Sequence, residues 1–102
     1  MVEVKIFKDG FTSYGHADYA PIGQDIVCSA ISALTQSCIL ALRTYCVSDV
    51  KVSKSGGIWI RVRNPSKKSA LCIGMMVMGL QEIEKKYPEH IRITEEWKKW
   101  MD

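Results

Sequence analysis

Apolar residues alternate from the first residues of the chain: Val2, Val4 and Ile6 are separated by Glu3 and Lys5, the period of a strand with one buried face. Asp9-Gly10 predicts a tight turn, and Phe11 to Gly15 a second, antiparallel strand. From Ile26 the spacing changes to three and four, through Val27, Ile31, Leu34, Cys38, Leu42 and Tyr45. That period predicts a helix from about Asp25 to Tyr45, with Asp25 as its N-cap. Alternation returns at Asp49 and Val50, and again where Ile58, Ile60 and Val62 interleave with Trp59, Arg61 and Arg63. The Lys-Ser-Gly-Gly of residues 54–57 predicts the hairpin turn between these two strands. Trp59 then faces away from the core and asks for a partner, a second subunit or a substrate.

Asn64-Pro65-Ser66 predicts a helix start with Pro65 at the first helical position, where its missing N–H costs nothing. The helix that follows, to about Tyr87, carries Leu71, Ile73, Met75, Met76, Val77, Met78 and Leu80 and is apolar on more than one face. It is expected to touch the sheet on one side and the first helix, or a dimer mate, on the other, with Gly74 and Gly79 allowing close backbone approach. After Pro88, His90-Ile91-Arg92-Ile93 predicts a short last strand. Thr94-Glu95-Glu96 is expected to cap a final turn that lays Trp97 and Trp100 against the body. His90 reads as a surface residue without a function, and the tail from Trp97 to Asp102 has no assigned role. The order of elements predicts an α+β single domain over residues 1–102, a mixed sheet of about five strands with two long helices.

Composition agrees: 102 residues make one domain, and 47% hydrophobic with 25% charged residues is ordinary globular usage. The N-terminus alternates and so does not resemble a signal peptide. The apolar run of the second helix, about eleven residues, is shorter than the roughly twenty that cross a bilayer. A cytoplasmic protein with no membrane partner is therefore expected. Cys28, Cys38, Cys46 and Cys72 form no C-x-x-C pair, which argues against a zinc site or a disulfide framework and for reduced thiols. No metal and no cofactor are expected.

The formal charge is +3, but residues 51–68 hold six basic side chains (Lys51, Lys54, Arg61, Arg63, Lys67 and Lys68) and no acidic one. Such a run makes either a solvated strand face or a patch that attracts RNA or another anionic complex. No aromatic-rich RNA-binding signature accompanies it, which argues against sequence-specific reading.

The chemistry concentrates between Tyr14 and Leu34. His16 follows the second strand, in a loop holding Pro21 and Gly23, and Cys28 is the third residue of the first helix if Asp25 is its cap. Backbone N–H groups and the positive end of the helix dipole favour an anion at such a position, and a neighbouring imidazolium favours a thiolate further. The same N–H groups are expected to hold an acyl-transfer oxyanion. Set against this, a single cysteine near a helix start more often serves as a small core residue. Short polar residues and glycines make the loop 15–23 a candidate for a mobile lid.

The run Gly15-His16-Ala17, Tyr19-Ala20 and Gly23-x-Asp25-Ile26-Val27-Cys28-x-Ala30-x-Ser32-Ala33-Leu34 resembles the bacterial ribosomal-processing cysteine proteases, the Prp family. The resemblance covers nearly the whole chain in length and order of elements, and its specific content lies in residues 15–34. It implies a small homodimeric endopeptidase without cofactor, with His16 as general base and Cys28 as nucleophile. It also implies the substrate: a ribosomal protein precursor, the large-subunit ribosomal protein twenty-seven, whose N-terminal extension is removed before it joins the ribosome. Gly15, Asp25 and Ser32 are supporting candidates. Asp25 either orients His16 or simply caps the helix, and Ser32 lies one turn beyond Cys28 on the same face. Two other classes stay open on residues alone: a non-catalytic basic module docking on ribosomal components through residues 51–68, and a redox sensor built on Cys28.

Overall fold

The computed structural model describes residues 1–21, 23–53 and 57–96. The elements follow as β1 (Val2–Phe7), β2 (Gly10–Tyr14), α1 (Ile26–Tyr45), β3 (Ser48–Val52), β4 (Ile58–Val62), α2 (Lys67–Lys86) and β5 (Ile91–Glu95). The strands form one sheet in the order β3-β4-β2-β1-β5, antiparallel except where β5 runs parallel to β1. This is the mixed sheet with two long helices that the pattern predicts.

Alternation decides which face is covered. Val2, Val4, Ile6, Phe11, Ile60, Val62 and Ile91 are buried, and they meet Val27, Ile31, Cys38, Ile39 and Leu42 of α1 with Ile73, Met76, Val77 and Leu80 of α2. Each such side chain, fully buried, contributes roughly 1.5–3 kcal/mol, so both helices are drawn onto that face and the two chain segments after β2 and β4 are brought to its ends. By length and composition α1 is apolar enough to cross a membrane, yet its core stripe is occupied by the sheet and α2.

Several expectations are corrected in detail. The first hairpin turns at Lys8 and Asp9, while Gly10 already pairs with Phe7; a Cβ at Gly10 would overlap the Ile60 carbonyl of the neighbouring strand. Pro65 stands before the cap rather than inside α2, because Ser66 is the cap and closes a capping box with Ser69. Thr94 and Glu95 belong to β5, where they pair with Lys5 and Ile6, so they cap nothing; the expectation for Trp97 and Trp100 lies outside the described residues. Tyr45 is exposed. Of the two helix glycines, Gly79 packs against Leu34 of α1, where a Cβ would come within 2.9 Å of Cδ1, whereas Gly74 faces open space. The hairpin expected at residues 54–57 lies mostly outside the described residues, but Ser53 N–H donates to the Gly57 carbonyl at 2.7 Å across its mouth.

Trp59 has partners within its own chain. Lys51 and Arg61 lie 5.5 and 5.4 Å from its ring centroid, close enough for a cation–π attraction. Arg61 also meets Asp9 at 3.0 Å, and Arg63 meets Asp49 at 3.1 Å. The basic run of residues 51–68 is therefore partly neutralised by carboxylates that precede it in the chain.

Candidate active site

Three backbone features shape the path from β2 to α1. Gly15 leaves the strand at φ +97, a conformation that side-chain-bearing residues rarely adopt, and sits so close to β1 that a Cβ would overlap the Met1 carbonyl oxygen. Glycine is required here on both counts. Ala17 then turns into the core and is 1% exposed, and Asp18 takes a positive φ of 56, which a short polar side chain tolerates. His16, between Gly15 and Ala17, is thereby carried on a segment anchored on either side of it.

Asp25 joins that segment to α1. One carboxylate oxygen accepts the Cys28 N–H at 2.8 Å, which makes Asp25 the N-cap. The other accepts the Tyr19 and Ala20 N–H groups at 3.0 and 3.4 Å. The bond from Cys28, with those from Tyr19, Ala20 and Val27, holds the Asp25 carboxyl below its ordinary value of 3.8 against an opposing effect of burial. Asp25 thus stays ionised and bridges the loop of His16 to the helix of Cys28. Its hydrogen bonds go to backbone groups; none among the described residues reaches the His16 ring.

His16 and Cys28 face one cleft of about 430 Å³, lined also by Asp18, Ala20, Gly23, Asp25 and Ser29. His16 is exposed and Cys28 half-buried. A thiol and an imidazole opening on the same cleft are the two groups needed for proton exchange between a nucleophile and its base. Ser29, whose hydroxyl donates to the Asp25 carbonyl at 3.0 Å, lines the cleft, whereas Ser32 is not among its described lining residues. Ser32 instead accepts a 3.3 Å bond from Thr35 through its backbone carbonyl.

Two expectations about this site change. The Cys28 N–H is taken by Asp25, so it is not free to receive an oxyanion, and the ionised carboxylate already occupies the positive helix start that would favour a thiolate. Of the cleft's side chains, the His16 imidazole is the base that shares it with the thiol. The loop, expected to lack buried contacts, is tied down through residues 17–20 by Ala17 burial and the two bonds to Asp25. Sequence reasoning also missed His90: its Nδ1 lies 2.7 Å from the Ala17 carbonyl oxygen, a contact across 73 positions that no local pattern signals.

Among the other thiols, Cys38 differs by its burial. Cys38 is buried and its Sγ lies 3.5 Å from the Cys72 carbonyl; burial, with neighbouring Cys72, pushes its thiol up to about 12. All four cysteines are free. Among the described residues, no group of three His, Cys, Asp or Glu side chains converges as a metal site.

Residues 1–92 match the family model of the cysteine protease Prp. The chain belongs to the Prp cysteine protease family. A ribosomal processing cysteine protease Prp of Staphylococcus aureus is 35% identical over 84 residues, covering 78% of this chain and 79% of that protein. One from Mycoplasma genitalium is 27% identical over 96 residues, covering 94% and 97%. The crystal structure of the essential ribosomal processing protease Prp from S. aureus with a covalently linked product peptide superposes with a TM-score of 0.82 at 26% identity, covering 93% of this chain and 97% of that one. The same S. aureus protease with a substrate peptide gives 0.74 at 25% identity. As a Prp protease, this chain is a cysteine protease, a hydrolase of peptide bonds.

Proposed function

We propose that this protease removes the N-terminal extension of large-subunit ribosomal protein twenty-seven, with Cys28 as nucleophile and His16 as general base. The observation that carries the reading is the common cleft of His16 and Cys28, whose two chain segments are held together by Asp25. The S. aureus relatives with peptide bound, one of them covalently, support peptide cleavage through an enzyme-linked intermediate.

In this mechanism the Cys28 sulfur attacks the scissile carbonyl carbon while His16 takes the thiol proton. The tetrahedral intermediate collapses, the C–N bond breaks, and His16 returns that proton to the leaving amine. A thioester then joins the N-terminal fragment to Cys28. Water, deprotonated by His16, attacks the thioester and restores the thiol. No oxidant or cofactor enters these steps.

The free thiols support action in the reducing cytoplasm. A homodimer is supported by the outer stripe of α2, where Leu71, Met75 and Met78 recur at helical spacing and stay largely exposed. Met75→Asp is expected to shift the protein to monomer in light scattering, and a parent that is already monomeric at working concentration refutes this part.

The functional test is cleavage of the purified extended ribosomal protein by the parent, by Cys28→Ala and by parent alkylated at Cys28. One cut in the extension by the parent alone is expected. Full cleavage by Cys28→Ala would refute the assignment of the nucleophile, and an uncut precursor with active parent would refute the substrate.

A further inference from the structure

His90 occupies the turn between α2 and β5, and its main chain is fixed on two sides. Its N–H donates to the Tyr87 carbonyl at 3.0 Å, and its own carbonyl accepts from the Val2 N–H of β1 at 2.9 Å. The imidazole points back toward the loop of His16. Because the Ala17 carbonyl oxygen has no proton, the 2.7 Å contact makes His90 Nδ1 the donor, whether the ring is neutral with its proton on Nδ1 or carries both protons. The ring also stands edge-on to Tyr19, with centroids 5.4 Å apart at 81°. Tyr19 in turn meets Tyr87 at 5.3 Å and 78°, and Tyr87 meets His90 at 6.4 Å and 60°. These are the edge-to-face arrangements that aromatic rings favour.

Two consequences follow for His16. Ala17 is the next residue, and a hydrogen bond to its carbonyl restrains the Ala17–Asp18 peptide plane, one residue beyond His16, and with it the direction of the chain that carries the imidazole. Asp25 grips the same loop two residues later, at Tyr19 and Ala20, from the side of α1. The loop is therefore held between the cap of the nucleophile's helix and a turn near the far end of the chain.

We infer that His90 is a positioning residue: its Nδ1–H bond to Ala17, braced by Tyr19 and Tyr87, sets where His16 stands relative to Cys28. It is not among the described residues that line the cleft, and the inference rests on the assignment of His16 as base. Removing the donor lets the loop shift, and displacements of about 1 Å at a reacting pair cost on the order of 100-fold in rate.

The test compares kcat and KM for the extended ribosomal protein in His90→Phe, which keeps a ring without the donor, and His90→Asn, whose amide places an N–H near the Nδ1 position without the ring. His90→Phe is expected to lower kcat about 10- to 100-fold with KM changed less than about threefold, and His90→Asn to recover most of that loss. In the His16→Ala background His90→Phe should produce no further decrease, since residues acting through one another are not additive. Parental kcat in His90→Phe, an equal loss in Phe and Asn, or the same fractional loss with and without His16 would each overturn the inference. So would a loss that merely follows a fall in melting temperature, because packing alone would then account for it. A fully active His16→Ala would remove the assignment of the base itself and the inference with it; an inactive His16→Ala beside a fully active His90→Phe would remove only the role of His90.

Discussion

The two helices begin alike and serve different ends. Each spans 20 residues, and in each the cap side chain accepts the N–H of the third helical residue: Asp25 from Cys28 in α1, Ser66 from Ser69 in α2. At α2 the arrangement closes on itself. The Ser69 hydroxyl accepts the Ser66 N–H at 2.8 Å and is fully enclosed, so cap and third residue satisfy one another. At α1 the third residue is a cysteine whose side chain opens on a cleft, and the cap has a second oxygen that reaches out to Tyr19 and Ala20. A serine cap completes a helix, whereas this aspartate cap also attaches a second chain segment to it. That difference is what makes this helix start the wall of a cleft.

The largest contrast lies at the third positions. Cys28→Ala is expected to lower cleavage by at least about 10³-fold while the melting temperature moves by less than about 4 °C. Ser69→Ala should do the reverse, costing about 1 kcal/mol of stability as a lost capping interaction and leaving kcat near the parent's. Kinetics and thermal melts on the two variants make the comparison, and equal effects on activity would erase it.

The next contrast separates cap from bridge. Asp25→Ser gives α1 the kind of cap that α2 has: one oxygen remains for the Cys28 N–H, and none for Tyr19 and Ala20. We expect a melting temperature within a few degrees of the parent, with kcat reduced by about tenfold through loosening of the His16 loop. Asp25→Ala should lose both activity and stability. If Asp25→Ser is fully active, the bridge is dispensable and Asp25 is a cap only.

The acid limb of the stability curve sharpens the same point. Because backbone N–H groups, first that of Cys28, lower the folded pKa of Asp25 below 3.8, the unfolded chain binds its proton first as pH falls. The stability Asp25 provides is present above about pH 4 and is lost as pH drops through its depressed folded value. Asp49, lowered by its bond to Arg63, adds to that limb, and the Ser66 cap contributes nothing to it. Urea midpoints from pH 7 to pH 2 should fall less steeply in Asp25→Ser than in the parent. At the other end, Cys38 is held protonated up to about 12 against 9.0 when exposed, so its burial opposes ionisation and stability should decline between those values.

The smallest expected effect is in amide exchange. Tyr19 and Ala20 N–H groups, bonded to Asp25, should exchange more slowly than that of exposed Gly23, and Asp25→Ser should abolish the difference. Equal rates in the parent would mean that the bridge is not populated in solution.

How much of this was legible in the residues depends on whether the signal is local. The strand alternation, the helix period and the Asp25 cap are local, and they predict the two-helix, mixed-sheet domain together with Cys28 at the third helical position. The G-H-A and G-x-D-I-V-C runs place His16 and Cys28 in one region, and the structure opens both on one cleft. What escaped is what depends on a second partner. An aspartate cap reads the same whether or not its other oxygen is engaged, so the bridge to Tyr19 and Ala20 leaves no local signal, and the Cys28 N–H, expected to be open to an oxyanion, is the one the cap itself takes. His90 has no periodic neighbours, and its partner is 73 positions away. Pro65, expected at the first helical position, stands two residues before it, because Ser66 can be read either as a helical residue or as a cap, and only its bond with Ser69 decides.

The central claim, that Cys28 is the nucleophile at this bridged helix start, is tested most directly by a brief, limited dose of iodoacetamide near neutral pH. Peptide mass spectrometry locates the label while cleavage of the extended ribosomal protein is measured on the same samples. Cys28 should be labelled ahead of Cys38, Cys46 and Cys72, because it opens on the cleft beside His16 while burial keeps Cys38 protonated. Residual cleavage should fall in proportion to the fraction of Cys28 modified. Cleavage that persists after Cys28 is fully labelled would contradict the account.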